Sequence, residues 1–296
     1  MKKISKPIFT GVATALVTPF KNGKIDFKSL EQLIEFQISE GVDALLVCGT
    51  TGESATLDDR EKKELISFAV GCVRGRVPLI AGTGSNDTRH ALELSKFASD
   101  EGADALLLVT PYYNKASDGG LILHYETIAN GCDAPIILYN VPSRTGVNIP
   151  IGVLEHLAEH PNIVGLKEAS GSVSYLARAT HRCGERMHLY SGNDDLIVPT
   201  LSLGGLGVIS VLSNVLPKKT VEICRLFFEG KVEKARELQL RLLPLINALF
   251  CEVNPIPVKA LLSLLGFCEE EYRLPLCPLE RAKAEELAKI LHECDG

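Results

Sequence analysis

Residues 162–170 read NIVGLKEAS. The apolar run Ile163-Val164-Gly165-Leu166 leads directly into Lys167 and Glu168. Successive strand residues face opposite sides, so an apolar run without alternation marks a strand covered on both faces, as in a parallel sheet. The run has strand length and is too short for a free-standing helix. A lysine at the end of such a strand needs an explanation, because an ammonium group prefers water.

Similar runs recur along the chain. They lie at 11–16, 44–48, 78–81, 105–109, 135–139, 163–167, 188–191 and 207–211. Helical patterns fill the intervals. Residues 26–40 place apolar side chains at 27, 30, 33, 34 and 38, with Asp26 as a cap. Residues 58–73 open on Asp58-Asp59, and 86–100 open on the capping pair Asn86-Asp87. Eight strand–helix alternations predict an α/β chain folded as a (β/α)8 TIM barrel. A doubly wound open sheet is the alternative, but no GxGxxG follows the first run, and Gly82-Thr83-Gly84 is a weak glycine signal. Beyond residue 221 the strand signal stops. Segments 221–229, 231–250, 257–265 and 279–291 read as helices, with Asn254-Pro255-Ile256-Pro257 breaking the second from the third. The expected division is a catalytic barrel over 1–230 and a C-terminal α-helical domain over 231–296. No Ser/Gly-rich linker separates them, so the appendage should pack on the barrel.

Composition narrows the function classes. A net charge of −6 gives no reason to expect nucleic acid as a partner. No apolar stretch reaches the eighteen or so residues of a membrane span. The N-terminal MKKISKPIFTGVATALVTPF starts basic, but Pro7, Thr10, Thr14 and Thr18 interrupt its apolar stretch. It reads as a strand and not a secretory signal, which makes the expected location cytoplasmic. The nine cysteines are scattered without a CxxC pair and read as reduced thiols packed as small hydrophobes. His156 and His160 stand four apart with nothing nearby to complete a metal site, so no metal is expected.

Barrel chemistry sits where the strands end at their carboxyl side. After the second run comes Gly49-Thr50-Thr51-Gly52-Glu53-Ser54, which is either an anion-binding nest with hydroxyl donors or a plain turn. After the fourth comes Thr110-Pro111-Tyr112-Tyr113-Asn114, whose tyrosines suit an interface or acid–base work. The fifth ends in Tyr139 and is followed by Arg144, a carboxylate clamp or a surface arginine. The seventh ends in Ser191-Gly192-Asn193-Asp194-Asp195, and the eighth carries Ile209. A lysine among apolar walls at a barrel mouth favours the neutral amine, which condenses with carbonyls. The rival reading is an ion pair with Glu168, but adjacent strand residues point to opposite faces.

The segments GTTGESATL (49–57), TPYYN (110–114), YNVPSRTG (139–146), VGLKEAS (164–170), SGNDD (191–195), GVISVLSNV (207–215) and NPIPVK (254–259) together resemble the dihydrodipicolinate synthase family. That family belongs to the pyruvate-dependent class I aldolases, with N-acetylneuraminate lyase. The resemblance spans essentially the whole chain. It implies Schiff-base condensation of pyruvate with L-aspartate 4-semialdehyde, in diaminopimelate and lysine biosynthesis, without a cofactor. Lys167 would form the imine. Tyr139, Thr50 and Tyr113 would relay protons, with Tyr113 coming from a neighbouring subunit of a homotetramer (a dimer of dimers). Thr51 would hold the pyruvate carboxylate and Arg144 that of the aldehyde, with Gly192 and Ile209 lining the pocket. N-acetylneuraminate lyase and 2-keto-3-deoxy sugar acid aldolase are the alternatives. Thr50-Thr51 with Arg144 argue against the first, and Tyr112-Tyr113 against the second.

The same resemblance implies an effector site for lysine at a subunit interface, with Ser54, Ala55, Asn86, His90 and Tyr112 in matching positions. Here the sequence departs from sensitive relatives. Asp59 and Lys62 stand where these carry histidines, and His90 stands where they carry a glutamate. A lysine side chain at 62 repels the effector's ammonium, so weak or absent lysine inhibition is expected.

Overall fold

The structure is a computed structural model that describes residues 6–295. Met1–Ser5, where the N-terminal reading begins, lie outside the described residues. Eight parallel strands close into a barrel: Gly11–Ala15, Ala44–Val47, Leu79–Gly82, Ala105–Val109, Ile136–Asn140, Ile163–Glu168, His188–Ser191 and Gly207–Ser210. They are numbered one to eight below. Each lies within a residue or so of its apolar run, because a strand buried on both faces starts and stops where apolar residues do. The barrel closes by pairing strand one with strand eight, Gly11 opposite Gly207. A Cβ on Gly207 would lie 1.9 Å from the Gly11 carbonyl oxygen, so the seam tolerates no side chain there.

The predicted caps form. Asp58 accepts from the Glu61 N–H while Glu61 reaches back to the Asp58 N–H, a reciprocal capping box worth about 1 kcal/mol. Asp26 caps Phe27–Ser39, and Asp87, not Asn86, caps Thr88–Asp100. Two local features were not expected. The helix predicted from 221 starts at Pro217, whose fixed φ suits a first turn. Phe20–Lys21 and Lys24–Ile25 form a small hairpin through Asn22-Gly23, both at positive φ, the pair that favours a tight hairpin turn.

Two layers of core hold the fold. Inside the barrel, Ala13, Ala44, Ile80, Leu107, Ile137 and Ile209 interleave, and Tyr190 stacks on Phe9 at 4.3 Å. Outside, the helices from Phe27–Ser39 to Val173–Cys183 pack in one continuous cluster. Helices Val232–Ala248, Ile256–Leu264 and Arg281–Asp295 bury residues in a second cluster that also contains Val12 and Val208 of the barrel strands. The appendage is therefore continuous with the barrel core. Among the described residues no helix is long and apolar enough to cross a membrane.

Candidate active site

Lys167 is the penultimate residue of strand six, with its side chain turned to the barrel mouth, 6% exposed. In the register it stands beside Tyr139 on one side and Tyr190 on the other. Its Nζ lies 4.3 Å from the centre of the Tyr139 ring. Glu168 faces the other way. Asn140 Nδ2 donates to it at 2.7 Å and the Ser170 N–H at 2.6 Å. Burial pushes the Glu168 carboxyl up, against the pull of those hydrogen bonds. Lys167 and Glu168 thus have separate surroundings.

Gly192 follows strand seven and presses its backbone against the lysine. Its N–H donates to the Glu168 carbonyl at 2.7 Å. A Cβ there would come within 3.1 Å of Lys167 Cε and 2.6 Å of Ala169 Cβ. Asp194, in the same loop, is buried. Its Oδ2 accepts from the N–H groups of Val211 (3.0 Å) and Leu212 (2.9 Å), which joins the loops after strands seven and eight. Burial raises its carboxyl, opposed by its hydrogen bonds and by the charge of Lys167.

The loop after strand two is pinned from a distance. Glu53 adopts φ 53°, a left-handed conformation unusual outside glycine. Lys259 of the appendage holds it there: Nζ to Oε1 is 2.6 Å, and neither side chain has exposed surface. Burial lowers the Lys259 ammonium and the Glu53 charge opposes that shift. Thr51, 3% exposed, accepts at Oγ1 from Asn254 Nδ2 at 3.0 Å. Arg144 sits on the short helix Pro142–Thr145 and donates from Nη2 to the Asn254 carbonyl at 3.3 Å.

A cavity of about 400 Å³ brings Thr50, Thr51, Tyr139, Arg144, Lys167 and Gly192 together. Two expected residues lie elsewhere. Ile209 is packed inside the barrel, and Tyr113, expected to serve a neighbouring subunit, lies outside the cavity lining, 87% exposed at φ 70°. The cavity wall also holds Asn193, Asp194, Asp195, Asn247 and Asn254, to which the sequence reading attached no role. Asp194 stood in a noted segment at a strand end. Asn254 read only as a helix break, and nothing local signals its contact with Thr51.

None of the residues matched to the effector site lines this cavity. His90 Nε2 is 2.8 Å from Asp59 Oδ1, and its Nδ1 is 3.3 Å from Ser85 Oγ. Asn86 Nδ2 donates to the Tyr112 carbonyl at 3.3 Å. Ser54 and Ala55 lie in the turn Ser54–Thr56.

A buried lysine at the end of a barrel strand, faced by a tyrosine and ringed by hydroxyls and an arginine, defines a class of protein. It is a (β/α)8 enzyme of the Schiff-base, class I aldolase kind. The comparisons with known proteins are narrower. The profile of the dihydrodipicolinate synthetase family matches residues 8–294. A 4-hydroxy-tetrahydrodipicolinate synthase of Clostridium perfringens is 51% identical over 273 residues, covering 92% of this chain and 94% of the relative. The crystal structure of dihydrodipicolinate synthase from Thermotoga maritima superposes with a TM-score of 0.96 at 46% identity, covering 98% of this chain and 99% of that one. The chloride-inhibited dihydrodipicolinate synthase of Acinetobacter baumannii, complexed with pyruvate, gives 0.94 at 43% identity, covering 97% and 99%. The chain belongs to the dihydrodipicolinate synthetase family. It is an enzyme of the synthase branch, not one of the sugar-acid lyases that share the fold.

Proposed function

We propose that the cavity joins pyruvate to L-aspartate 4-semialdehyde through an imine on Lys167. The amine attacks the pyruvate carbonyl, water leaves, and the protonated imine acts as an electron sink. The methyl group then loses a proton to give an enamine, whose carbon attacks the aldehyde. The amino group of the adduct closes onto the imine carbon, expelling Lys167 and leaving 4-hydroxy-tetrahydrodipicolinate. Thr51 donates to the pyruvate carboxylate, and Arg144 clamps that of the aldehyde. Gly192 admits the imine by presenting bare backbone.

Each step moves a proton, and a lone tyrosine with its ordinary pKa near 10 is a poor base at neutral pH. Tyr139 and Thr50, joined by Tyr113 from a second copy of the chain, form a relay that passes a proton without a free tyrosinate. The exposed Tyr113 ring suits that assembly, as does the homotetramer implied by the family resemblance. The lysine-site reading of Ser54, Ala55, Asn86, His90 and Tyr112 belongs to the same proposal. So does the division at residue 230, with the qualification that the appendage lends residues to the cavity. A cytoplasmic site of action suits this chemistry.

The observation that carries the reading is Lys167, 6% exposed at the cavity with its Nζ on the Tyr139 ring. Borohydride reduction with labelled pyruvate tests it. Label on the single peptide holding Lys167, absent from Lys167→Ala, is expected. Label on another lysine, or none on the wild type, would overturn the proposal.

A further inference from the structure

Thr51 is not oriented by its own loop. Its hydroxyl is held by Asn254, 203 residues away, through a buried hydrogen bond of 3.0 Å. Asn254 is 6% exposed and lines the same cavity. Its Oδ1 is buried without a partner. The amide is set with its nitrogen on Thr51. Reversed, it would leave both of its N–H hydrogens unpaired, and a stranded donor is rarer in proteins than an under-used carbonyl. A hydroxyl carries one proton and two acceptor positions. With one acceptor position of Thr51 taken by the Asn254 N–H, the proton of Thr51 points away from the amide. A carboxylate only accepts, so it needs that proton turned toward it.

We infer that Asn254 is a positioning residue that aims the Thr51 hydroxyl proton at the substrate carboxylate. The inference rests on the reading of Thr51 as the pyruvate-carboxylate donor. The segment that carries Asn254 is fastened independently. Lys259 binds Glu53, two residues beyond Thr51, at 2.6 Å. Arg144 is bonded to the Asn254 main-chain carbonyl, not to its side chain. Changing the Asn254 side chain therefore separates the two carboxylate sites: pyruvate is affected and the aldehyde is not.

The test is steady-state kinetics on Asn254→Ala, Asn254→Asp, Thr51→Val and the double variant Asn254→Ala/Thr51→Val, with both substrates varied. For Asn254→Ala the pyruvate KM rises about tenfold, as for a weakened hydrogen bond to a charged group, while kcat stays within about twofold. Asn254→Asp keeps the shape of the side chain but replaces the N–H donor to Thr51 with an acceptor. Under the proposal it is worse than alanine, because its carboxylate takes the Thr51 proton and repels the substrate's charge. The double variant shows no loss beyond Thr51→Val. Asn254→Asp with an unchanged pyruvate KM, or additive losses in the double variant, overturns the inference. An unchanged pyruvate KM in Thr51→Val overturns the underlying reading of Thr51 instead.

Discussion

Replacing Lys259 with methionine removes one half of an ion pair that is wholly out of water. Lys259 Nζ lies 2.6 Å from Glu53 Oε1, and neither side chain has exposed surface. The ammonium also sits 4.1 Å from the centre of the Phe20 ring and 5.2 Å from that of Tyr272. Methionine nearly matches the length of lysine, so packing against those rings is largely kept. Among the described residues, the Glu53 carboxylate then keeps the Arg273 N–H, at 3.3 Å, as its donor. Breaking a buried pair from one side costs about 3–5 kcal/mol. With an unfolding entropy of about 2.1 cal/mol/K per residue, that lowers Tm by about 5–8 °C for a chain of this length. Glu53→Gln alone strands the ammonium and gives a loss of the same order. The double variant removes both charges and recovers most of the loss, since the penalty belongs to the unpaired charge. Differential scanning calorimetry of the four proteins reads this out. Single-variant shifts under about 1 °C, or shifts that add in the double variant, would refute the reasoning.

Arg144→Ala should lower kcat/KM for the aldehyde by about 10–100-fold, the worth of a hydrogen bond to a charged group. Borohydride trapping of pyruvate on the variant should remain at the wild-type level; loss of the imine would place Arg144 in the first half-reaction. Micromolar lysine should leave turnover unchanged, because Lys62 opposes an ammonium group and the Asp59 carboxylate is engaged by His90 at 2.8 Å. That hydrogen bond also holds the Asp59 carboxyl below the usual range. Inhibition at those concentrations, measured with saturating pyruvate, would contradict this account of those residues.

The strands were legible because burial on both faces writes itself as a short apolar run, and the run ends where the barrel does. Lys167 stood out for the same reason: a cation at the end of such a run contradicts its surroundings. Helix starts were legible through Asp26, Asp58 and Asp87, whose side chains do local work. The hairpin at Asn22-Gly23 carried its signal but has only two residues in each strand, too few to show alternation. The contacts of Glu53 with Lys259 and of Thr51 with Asn254 join positions more than two hundred residues apart. Periodicity and capping act over a few residues and carry no trace of such pairings. Tyr113 is a different case: its identity was legible, but the relay proposed for it needs a second copy of the chain.

Closure of the barrel at Gly11 and Gly207 has a consequence for how the chain is made. Strand one leaves the ribosome early and meets its second neighbour only after strand eight has emerged. At about 5–20 residues per second, the intervening two hundred or so residues take roughly 10–40 seconds to synthesise. For that time the growing sheet is open, with a bare edge on the Gly11 strand able to pair with another nascent chain. The glycine seam that lets the finished barrel shut is therefore the last edge of the sheet to be paired.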